Sequence, residues 1–112
     1  MKKIEAIIRP EMLDVVRKDI EEIGCFGLMI TEIEGHGKQK GVTQQWRGEK
    51  YKVELLPKVK IEIVVKDQDV DKITKTIMMG ARTGEIGDGK IFVSGVDDAI
   101  RIRTGEKGEV AL

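Results

Sequence analysis

One glycine-rich segment carries the strongest chemical signal in this sequence. From Thr83 to Val93 it reads TGEIGDGKIFV, with glycines at positions 84, 87 and 89 directly before Lys90. Glycine reaches left-handed backbone conformations at little cost, so successive N–H groups can converge on an anion, and Lys90 would add a positive charge. The segment therefore predicts a phosphate-binding loop. Because Gly-x-Gly-Lys precedes an apolar, strand-like run and not a helix, it is not a Walker P-loop.

Cations stand beside glycines at two further places. Residues 37–41 read GKQKG, and Arg101 and Arg103 lie in the run RIRTG. Each group alone is typical of a solvated surface in a chain with 36% charged residues. Together with Lys90 they favour a polyphosphate site. If the segment around Arg101 is extended, both arginines face the same side of it.

Side chains suited to catalysis or metal binding are few. The only histidine is His36 and the only cysteine is Cys25. No Cys–His or Ser–His–Asp grouping is visible, and the several Cys and His ligands of a zinc site are absent. We expect His36 to be a loop residue and Cys25 to be a small buried apolar residue. Gln39 could offer its amide oxygen to a Mg²⁺ ion held mainly by phosphates. The sequence thus predicts a binding protein and not an enzyme.

Length, charge and cysteine usage limit the class of protein. The chain has 112 residues, the size of one domain, with 20 basic and 20 acidic side chains. A net charge of zero gives no support for nucleic-acid or general membrane binding. A single cysteine fits a reducing compartment, and no apolar run is long enough for a signal peptide or a membrane span. We therefore expect a cytoplasmic protein.

Hydrophobic periodicity predicts four strands and two helices in the order β-α-β-β-α-β. The expected elements are strand Lys3–Arg9, a helix from Pro10 to Gly24 with Met12, Val15, Val16, Ile20 and Ile23 on one face, strand Leu28–Glu34, strand Val59–Val65 after Pro57, helix Asp67–Ala81 and strand Ile91–Val96. This order predicts an α+β domain with the ferredoxin-like fold. Two helices would cover one face of the sheet. Ile7, Val64 and Phe92 would then form a second apolar face, which favours self-association.

The longest connection runs over residues 35–56 and has no clean period of 2 or 3.6. Connections of this length are uncommon in compact domains, so we expect a functional loop. Within it, Trp46 and Arg47 are residue types that anchor interfaces. Tyr51 offers a hydroxyl for covalent modification, although it could equally pack in a strand at the loop base. The tail after Arg103 is polar, and we expect it to be loosely held.

The Thr83–Val93 segment, the GKQKG run and the RIRTG run resemble the PII signal-transduction proteins (the GlnB/GlnK family). The likeness continues from Met1 through Gly105 without insertions. It implies one domain over residues 1–112, with a T-loop at 35–56, a B-loop at 82–90 and a C-terminal loop and tail at 98–112.

This resemblance also implies a function. PII proteins are homotrimers that bind ATP or ADP between subunits and sense 2-oxoglutarate together with Mg-ATP. Their T-loop controls an ammonium transporter, glutamine synthetase or another nitrogen-metabolism protein. The chain would then meet a membrane only through a transporter, and no nucleic-acid partner is implied.

The site residues follow position by position from the same resemblance. The nucleotide-binding set is Ile7, Met29, Gly35, Gly37, Lys38, Glu62, Val64, Thr83, Gly87, Asp88, Gly89, Lys90, Arg101 and Arg103. The 2-oxoglutarate set is Gln39, Lys40, Gly41 and Lys58, with Gln39 also contacting Mg²⁺. The partner-binding set is Val42, Trp46, Arg47, Glu49, Lys50 and Tyr51, of which Tyr51 is the candidate for modification.

Some positions depart from the family pattern. Lys38 stands where arginine is usual, Met29 where threonine contacts the base, and His36 where phenylalanine or another residue stands. The residues before Tyr51 also differ, which disfavours a covalent switch. These departures and the charge-rich composition resemble an archaeal GlnK-type protein. Two alternatives remain open: a nitrogenase-regulating paralogue, and a small ferredoxin-like enzyme that handles phosphate.

Overall fold

The chain forms a four-stranded antiparallel sheet with two helices packed on one face. A computed structural model describes the backbone of residues 1–40 and 51–112, and the side chains of residues 1–36 and 55–112. The elements are β1 (Lys2–Ile8), α1 (Leu13–Glu22), β2 (Met29–Lys40), β3 (Tyr51–Val65), α2 (Val70–Ala81) and β4 (Gly89–Gly95). The strand order is β2-β3-β1-β4. This confirms the predicted ferredoxin-like fold.

The core lies between the helices and one face of the sheet. Along β1, buried Ile4, Ala6 and Ile8 alternate with partly exposed residues, as expected for a strand with one covered face. Ala6 stands opposite Ile61 of β3 and Ile91 of β4, so the apolar positions of three strands are aligned. The rest of the buried core consists of Val16, Ile20, Val59, Ile63, Val65, Ile73, Ile77 and Ala81.

The helices agree with the predicted periodicity except at their first turns and at one residue. Short 3₁₀ turns, Pro10–Met12 and Asp67–Asp69, precede α1 and α2. Gly24, in the left-handed region with φ of 88°, follows the end of α1 as expected. The assignment of Val15 to the buried face was wrong, since Val15 is 46% exposed beside a fully buried Val16. The buried face of this short helix is narrower than the apolar spacing of the sequence suggested.

Strands β2 and β3 are longer than the sequence indicated. They pair continuously from Met29 opposite Glu62 to Lys40 opposite Tyr51, so the ends of the 35–56 connection form a ribbon. The expectation that β3 begins after Pro57 was wrong. Proline is tolerated inside β3 at this point because β1 pairs with β3 only from Val59 onward. On the β1 side of Pro57 there is therefore no strand that would need its missing N–H.

The second face of the sheet carries the predicted apolar residues Ile7, Val64 and Phe92 but is not wholly apolar. Phe92 does lie there and is 55% exposed. However, Lys3 and Glu5 form an ion pair at 2.8 Å, and Lys60 and Glu62 form another at 3.1 Å, on the same face. The charged residues at alternate positions of β1 and β3 therefore share this face with the apolar ones.

The C-terminal segment is folded onto itself, contrary to expectation. The Arg101 N–H donates to the Glu106 carbonyl at 2.9 Å, and the Gly105 N–H donates to the Arg101 carbonyl at 2.7 Å. Arg101 Nη1 also pairs with Glu106 Oε1 at 2.6 Å. Because the backbone turns here, the segment is not extended, and the conditional prediction that Arg101 and Arg103 share one side of it does not apply.

Substitution of neighbouring valines tests how α1 packs. Val16→Ala should lower the free energy of unfolding by about 1–3 kcal/mol, because it leaves a cavity in the core. Val15→Ala is the matched control on the exposed face, where the loss should stay within about 0.5 kcal/mol. Guanidinium denaturation of both variants gives the two values, and equal losses would contradict the orientation of the helix.

Candidate functional site

The central strand β1 sets the position of the candidate site. At its end, Ile7 stands opposite Lys60 of β3 and Lys90 of β4, and Ile8 stands opposite Val59 and Gly89. Two antiparallel neighbours therefore arrive at the same edge of the sheet. β3 brings Lys58 to this edge, and β4 begins there with Gly89 and Lys90.

A surface cavity of about 590 Å³ lies at this edge. Its walls come from β1, β2, β3, the connection between α2 and β4, and the start of β4. The lining residues are Ile7, Gly35, His36, Leu56, Lys58, Glu85, Ile86, Gly87, Asp88, Gly89, Lys90 and Phe92. Two lysines, a glycine-rich backbone and apolar side chains thus surround one space, a combination suited to an anionic ligand with an apolar part.

The carboxylate of Asp88 organises the glycine-rich connection. Its Oδ2 accepts hydrogen bonds from the backbone N–H groups of Thr83 and Gly84 at 2.9 and 2.8 Å. Its Oδ1 accepts from the Thr83 hydroxyl and, at 3.1 Å, from Nε of Arg9. Arg9 also donates through Nη2 to the Ile86 carbonyl at 2.8 Å. Asp88 therefore links the two ends of the connection to each other, and Arg9 links the connection to the end of β1.

These hydrogen bonds keep Asp88 ionised. The Thr83 hydroxyl is the largest cause, followed by the N–H donors and Arg9, and together they hold the pKa of Asp88 far below its usual range. A permanent negative charge at the rim of an anion cavity would oppose binding. Arg9 offsets that charge, so Asp88 shapes the connection with little repulsion of a ligand.

Lys58 is held at the wall of the cavity. Its Nζ donates to the Gly87 carbonyl at 2.5 Å. Partial burial and the nearby positive charge of Arg9 lower the pKa of Lys58. A bound anion would favour the charged form of Lys58, because a nearby opposite charge raises the pKa of a lysine.

Two glycines of this segment have a backbone conformation that strains any other residue. Gly87 and Gly89 have φ of 102° and 105°, which strains any other residue. A Cβ on Gly87 would lie 3.3 Å from Arg9 Nη2. A Cβ on Gly89 would overlap the Ile7 carbonyl oxygen and lie 2.7 Å from its carbon. The pairing of β4 with β1 therefore requires glycine at position 89.

Comparison with known proteins identifies the family of this chain. A model of the family "Nitrogen regulatory protein P-II" matches residues 1–106. The chain belongs to the P-II family. It is 56% identical over 112 residues to nitrogen regulatory protein P-II 2 of Methanothermobacter thermautotrophicus, covering all of this chain and 97% of that protein. It is 55% identical to nitrogen regulatory protein P-II of Pasteurella multocida, with both chains covered in full.

A solved P-II structure has the same fold. The crystal structure of Arabidopsis thaliana PII bound to citrate matches this chain with a TM-score of 0.80 and 44% sequence identity. The match covers 99% of this chain and 91% of that one. The predicted family and fold are confirmed by these comparisons.

The structure brings together only part of the predicted P-II site. Ile7, Gly35, Lys58, Gly87, Asp88, Gly89 and Lys90 line one cavity, and Thr83 supports it through Asp88. Glu62 stands opposite Met29 further along the sheet, and Val64 lies opposite Lys3. Arg101 is engaged by Glu106, and neither it nor Arg103 is among the residues that line the cavity of this chain.

Many of the predicted positions lie outside the described residues or side chains. At Gly37, Lys38, Gln39, Lys40 and Tyr51 only the backbone is described. Gly41, Val42, Trp46, Arg47, Glu49 and Lys50 lie outside the described residues altogether. Where side chains are described, no group of three or more His, Cys, Asp or Glu residues could hold a metal ion. Among residues 1–40 and 51–112, no helix is long and apolar enough to cross a membrane.

Arg9, which holds the glycine-rich connection through Asp88 and Ile86, was not predicted as a site residue. A usable signal was present. Arg9 directly follows β1, the strand that both neighbouring strands must meet, so a cation there stands at the predicted site. The predicted start of the last strand, Ile91, was also too late, because Gly89 and Lys90 already belong to β4.

Substitution of Asp88 should make the stability depend on pH in a defined way. Since the pKa of Asp88 is depressed in the folded protein, its stabilisation is present above the pKa of an unfolded aspartate, about 4, and is lost as the pH falls further. Asp88→Asn should therefore lower the thermal midpoint at pH 7, and the difference from the parent should shrink as the medium is acidified below pH 4. Calorimetric scans at pH 7 and pH 3 measure this.

Asp97→Asn, at an exposed aspartate after β4, is the control and should leave the midpoint unchanged at both pH values. An Asp88→Asn midpoint equal to that of the parent at pH 7 would contradict the role of the carboxylate.

Two glycine substitutions separate backbone strain from steric overlap. Gly84→Ala introduces strain only, since φ is 91° but no heavy atom lies within 4 Å of the added Cβ; the cost should be about 1–3 kcal/mol. Gly89→Ala adds the overlap with the Ile7 carbonyl and should destabilise the protein well beyond that. Denaturant titration measures the free energy of unfolding of both variants. Similar losses of free energy in the two would contradict the close approach of β1 and β4.

Proposed function

We propose that this chain is a nitrogen-regulatory sensor that binds ATP or ADP and, together with Mg-ATP, 2-oxoglutarate. The observation that carries the proposal is the convergence of Lys58, Lys90 and the glycine-rich backbone at the end of β1. Glycines at this point let a phosphate approach the main chain, and the lysines supply charge. Ile7 and Phe92 offer apolar contact for a base. Gln39 would contact the Mg²⁺ ion that the phosphates hold.

Lys58 is suited to a carboxylate ligand. Its ammonium group is partly desolvated and faces another cation, so an incoming carboxylate gains a charge-assisted hydrogen bond. The Arabidopsis relative was crystallised with citrate, a small polycarboxylate. This supports 2-oxoglutarate, also a small polycarboxylate, as the second ligand here.

The signalling step needs no catalysis. Ligands at the end of β1 contact the base of the β2–β3 ribbon through Gly35 and Leu56, so they can favour one arrangement of the T-loop, residues 35–56, over another. The loop would then bind an ammonium transporter, glutamine synthetase or another nitrogen-metabolism enzyme with an affinity that depends on the ligands. In this proposal the protein is a cytoplasmic homotrimer of the GlnK type, and Arg101 and Arg103 reach the phosphates across a subunit boundary.

Isothermal titration calorimetry tests the proposed ligands. ATP and ADP should bind the parent protein, and 2-oxoglutarate should bind only in the presence of Mg-ATP. Nucleotide binding without any response to 2-oxoglutarate would reduce the proposal to an energy sensor. Absence of nucleotide binding would overturn it.

Lys90 provides the sharpest substitution at the nucleotide site. Lys90→Ala should weaken ATP binding by roughly tenfold to a hundredfold, since it removes a charged hydrogen-bond donor from the phosphates. Lys75→Ala, on the exposed side of α2, should leave ATP affinity unchanged. Titrations of both variants, with thermal midpoints as a folding check, compare them. Equal ATP affinity in the Lys90→Ala variant and the parent would refute the phosphate assignment.

A further inference from the structure

We propose that Lys58 is a covalent modification site, whose amine takes up the acyl group of an acyl phosphate bound in the cavity at the end of β1. The ligand class is a small molecule in which an acyl group is joined to an anionic phosphate. This inference goes beyond the proposed function, because it requires the cavity and its cations but neither a nucleotide nor a partner protein.

The side chain of Lys58 is held along its length at the wall of the cavity. Its Cγ lies 3.7 Å from the point that a Cβ on Gly35 would occupy, so its stem passes close to β2. Its Nζ donates to the Gly87 carbonyl at 2.5 Å. In the neutral form of the amine, this carbonyl takes one N–H and leaves the nitrogen lone pair available for attack. A nucleophile placed in this way needs no further search of side-chain conformations when a ligand binds beside it.

The phosphate of the ligand has a place next to this amine. Gly87 and Gly89 carry no side chain that would keep a phosphate away from the backbone. Lys90 lines the same cavity and supplies a positive charge. In an acyl phosphate a single oxygen joins the phosphorus to the acyl carbon, so a phosphate at this backbone holds that carbon close to Lys58. Attack then proceeds within one complex, which raises its rate over that of a surface lysine.

The surroundings of Lys58 increase the share of the neutral, reactive amine. Partial burial is the largest cause and the nearby guanidinium of Arg9 is the second, and together they lower the pKa of Lys58. The carboxylates of Glu11 and Asp88 act in the opposite direction. The other charged side chains that line the cavity or the hollow between β2 and β3 on the far side of Lys58 are Glu32, Glu34, Glu85 and Lys90.

The reaction is an acyl transfer without any change of oxidation state. The Lys58 nitrogen forms a bond to the acyl carbon, and the bond between that carbon and the bridging phosphate oxygen breaks. The electron pair of the broken bond leaves with the phosphate, which also receives the proton that the amine loses. The products are a neutral amide and inorganic phosphate, so the cavity loses one positive charge.

Acetyl phosphate, added to the whole protein at pH 7.5, tests the inference. Lys60 is the matched control, because it lies two residues further along β3 and its amine pairs with Glu62 at 3.1 Å. Cleavage after Glu54 and Glu62 releases one peptide, residues 55–62, that contains both lysines. Tandem mass spectrometry of this peptide measures both acetylated fractions over time. We expect Lys58 to be acetylated roughly tenfold or more faster than Lys60. Equal rates would overturn the inference.

A second acyl donor separates binding of the phosphate from the reactivity of the amine. 4-Nitrophenyl acetate carries no phosphate, so its preference for Lys58 over Lys60 reflects the amine alone. That preference should be smaller by roughly threefold or more, the loss of one charge-assisted contact. Excess inorganic phosphate, compared with sodium chloride at equal ionic strength, should lower the preference of acetyl phosphate to the same level. The same preference with both donors, or no effect of inorganic phosphate, would overturn the bound donor.

Two further controls show whether the preference comes from the folded cavity. In concentrated guanidinium chloride the unfolded chain should be acetylated equally at Lys58 and Lys60. Lys90→Ala should lower the preference of acetyl phosphate for Lys58 and leave that of 4-nitrophenyl acetate unchanged, which also shows that the variant is folded around Lys58. A preference that survives unfolding, or one that is the same in Lys90→Ala and the parent with acetyl phosphate, would contradict the inference.

Discussion

The close approach of Gly89 to the carbonyl group of Ile7 is the constraint on which the rest of the site depends. Without a side chain at position 89, β4 can pair with β1 up to Ile8 and turn directly into the preceding connection. This places Lys90 beside Ile7 and brings residues 85–88 over the end of β1. A larger residue would push the connection away from Lys58, and the cavity would open.

The hydrogen bonds of Asp88 compensate for the flexibility of the glycine-rich connection. A glycine-rich backbone has many accessible conformations, so holding one of them costs conformational entropy. Asp88 offsets this cost by accepting hydrogen bonds from Thr83 and Gly84. Its negative charge would disfavour an anionic ligand, and the pairing with Arg9 compensates for it. An acidic residue can therefore stabilise an anion site because a cation from the neighbouring strand end stands beside it.

Much of this structure could be predicted from local sequence patterns. The order of the elements followed from periodicity, because that signal lies in contiguous residues. The glycine–lysine segment lies at a cavity in the structure, and its binding of an anion stays a prediction. Arg9 was missed since its partners, Ile86 and Asp88, are almost eighty positions away in the sequence and meet it only through the strand order. Val15 was misplaced for a related reason: the pattern of α1 does not reveal how far the sheet extends beneath it. The turn at Arg101 depends on Glu106 and Val110, contacts that a reading of alternation cannot anticipate.

The central claim is that the end of β1 is the anion-binding site of this P-II protein, and a crystal structure of the complex with ATP tests it most directly. We expect the triphosphate to lie against the backbone of residues 87–90 with Lys90 Nζ in hydrogen-bond contact, and Asp88 to remain paired with Arg9. A triphosphate bound elsewhere on the chain, with the cavity between Lys58 and Lys90 left to solvent, would contradict the account.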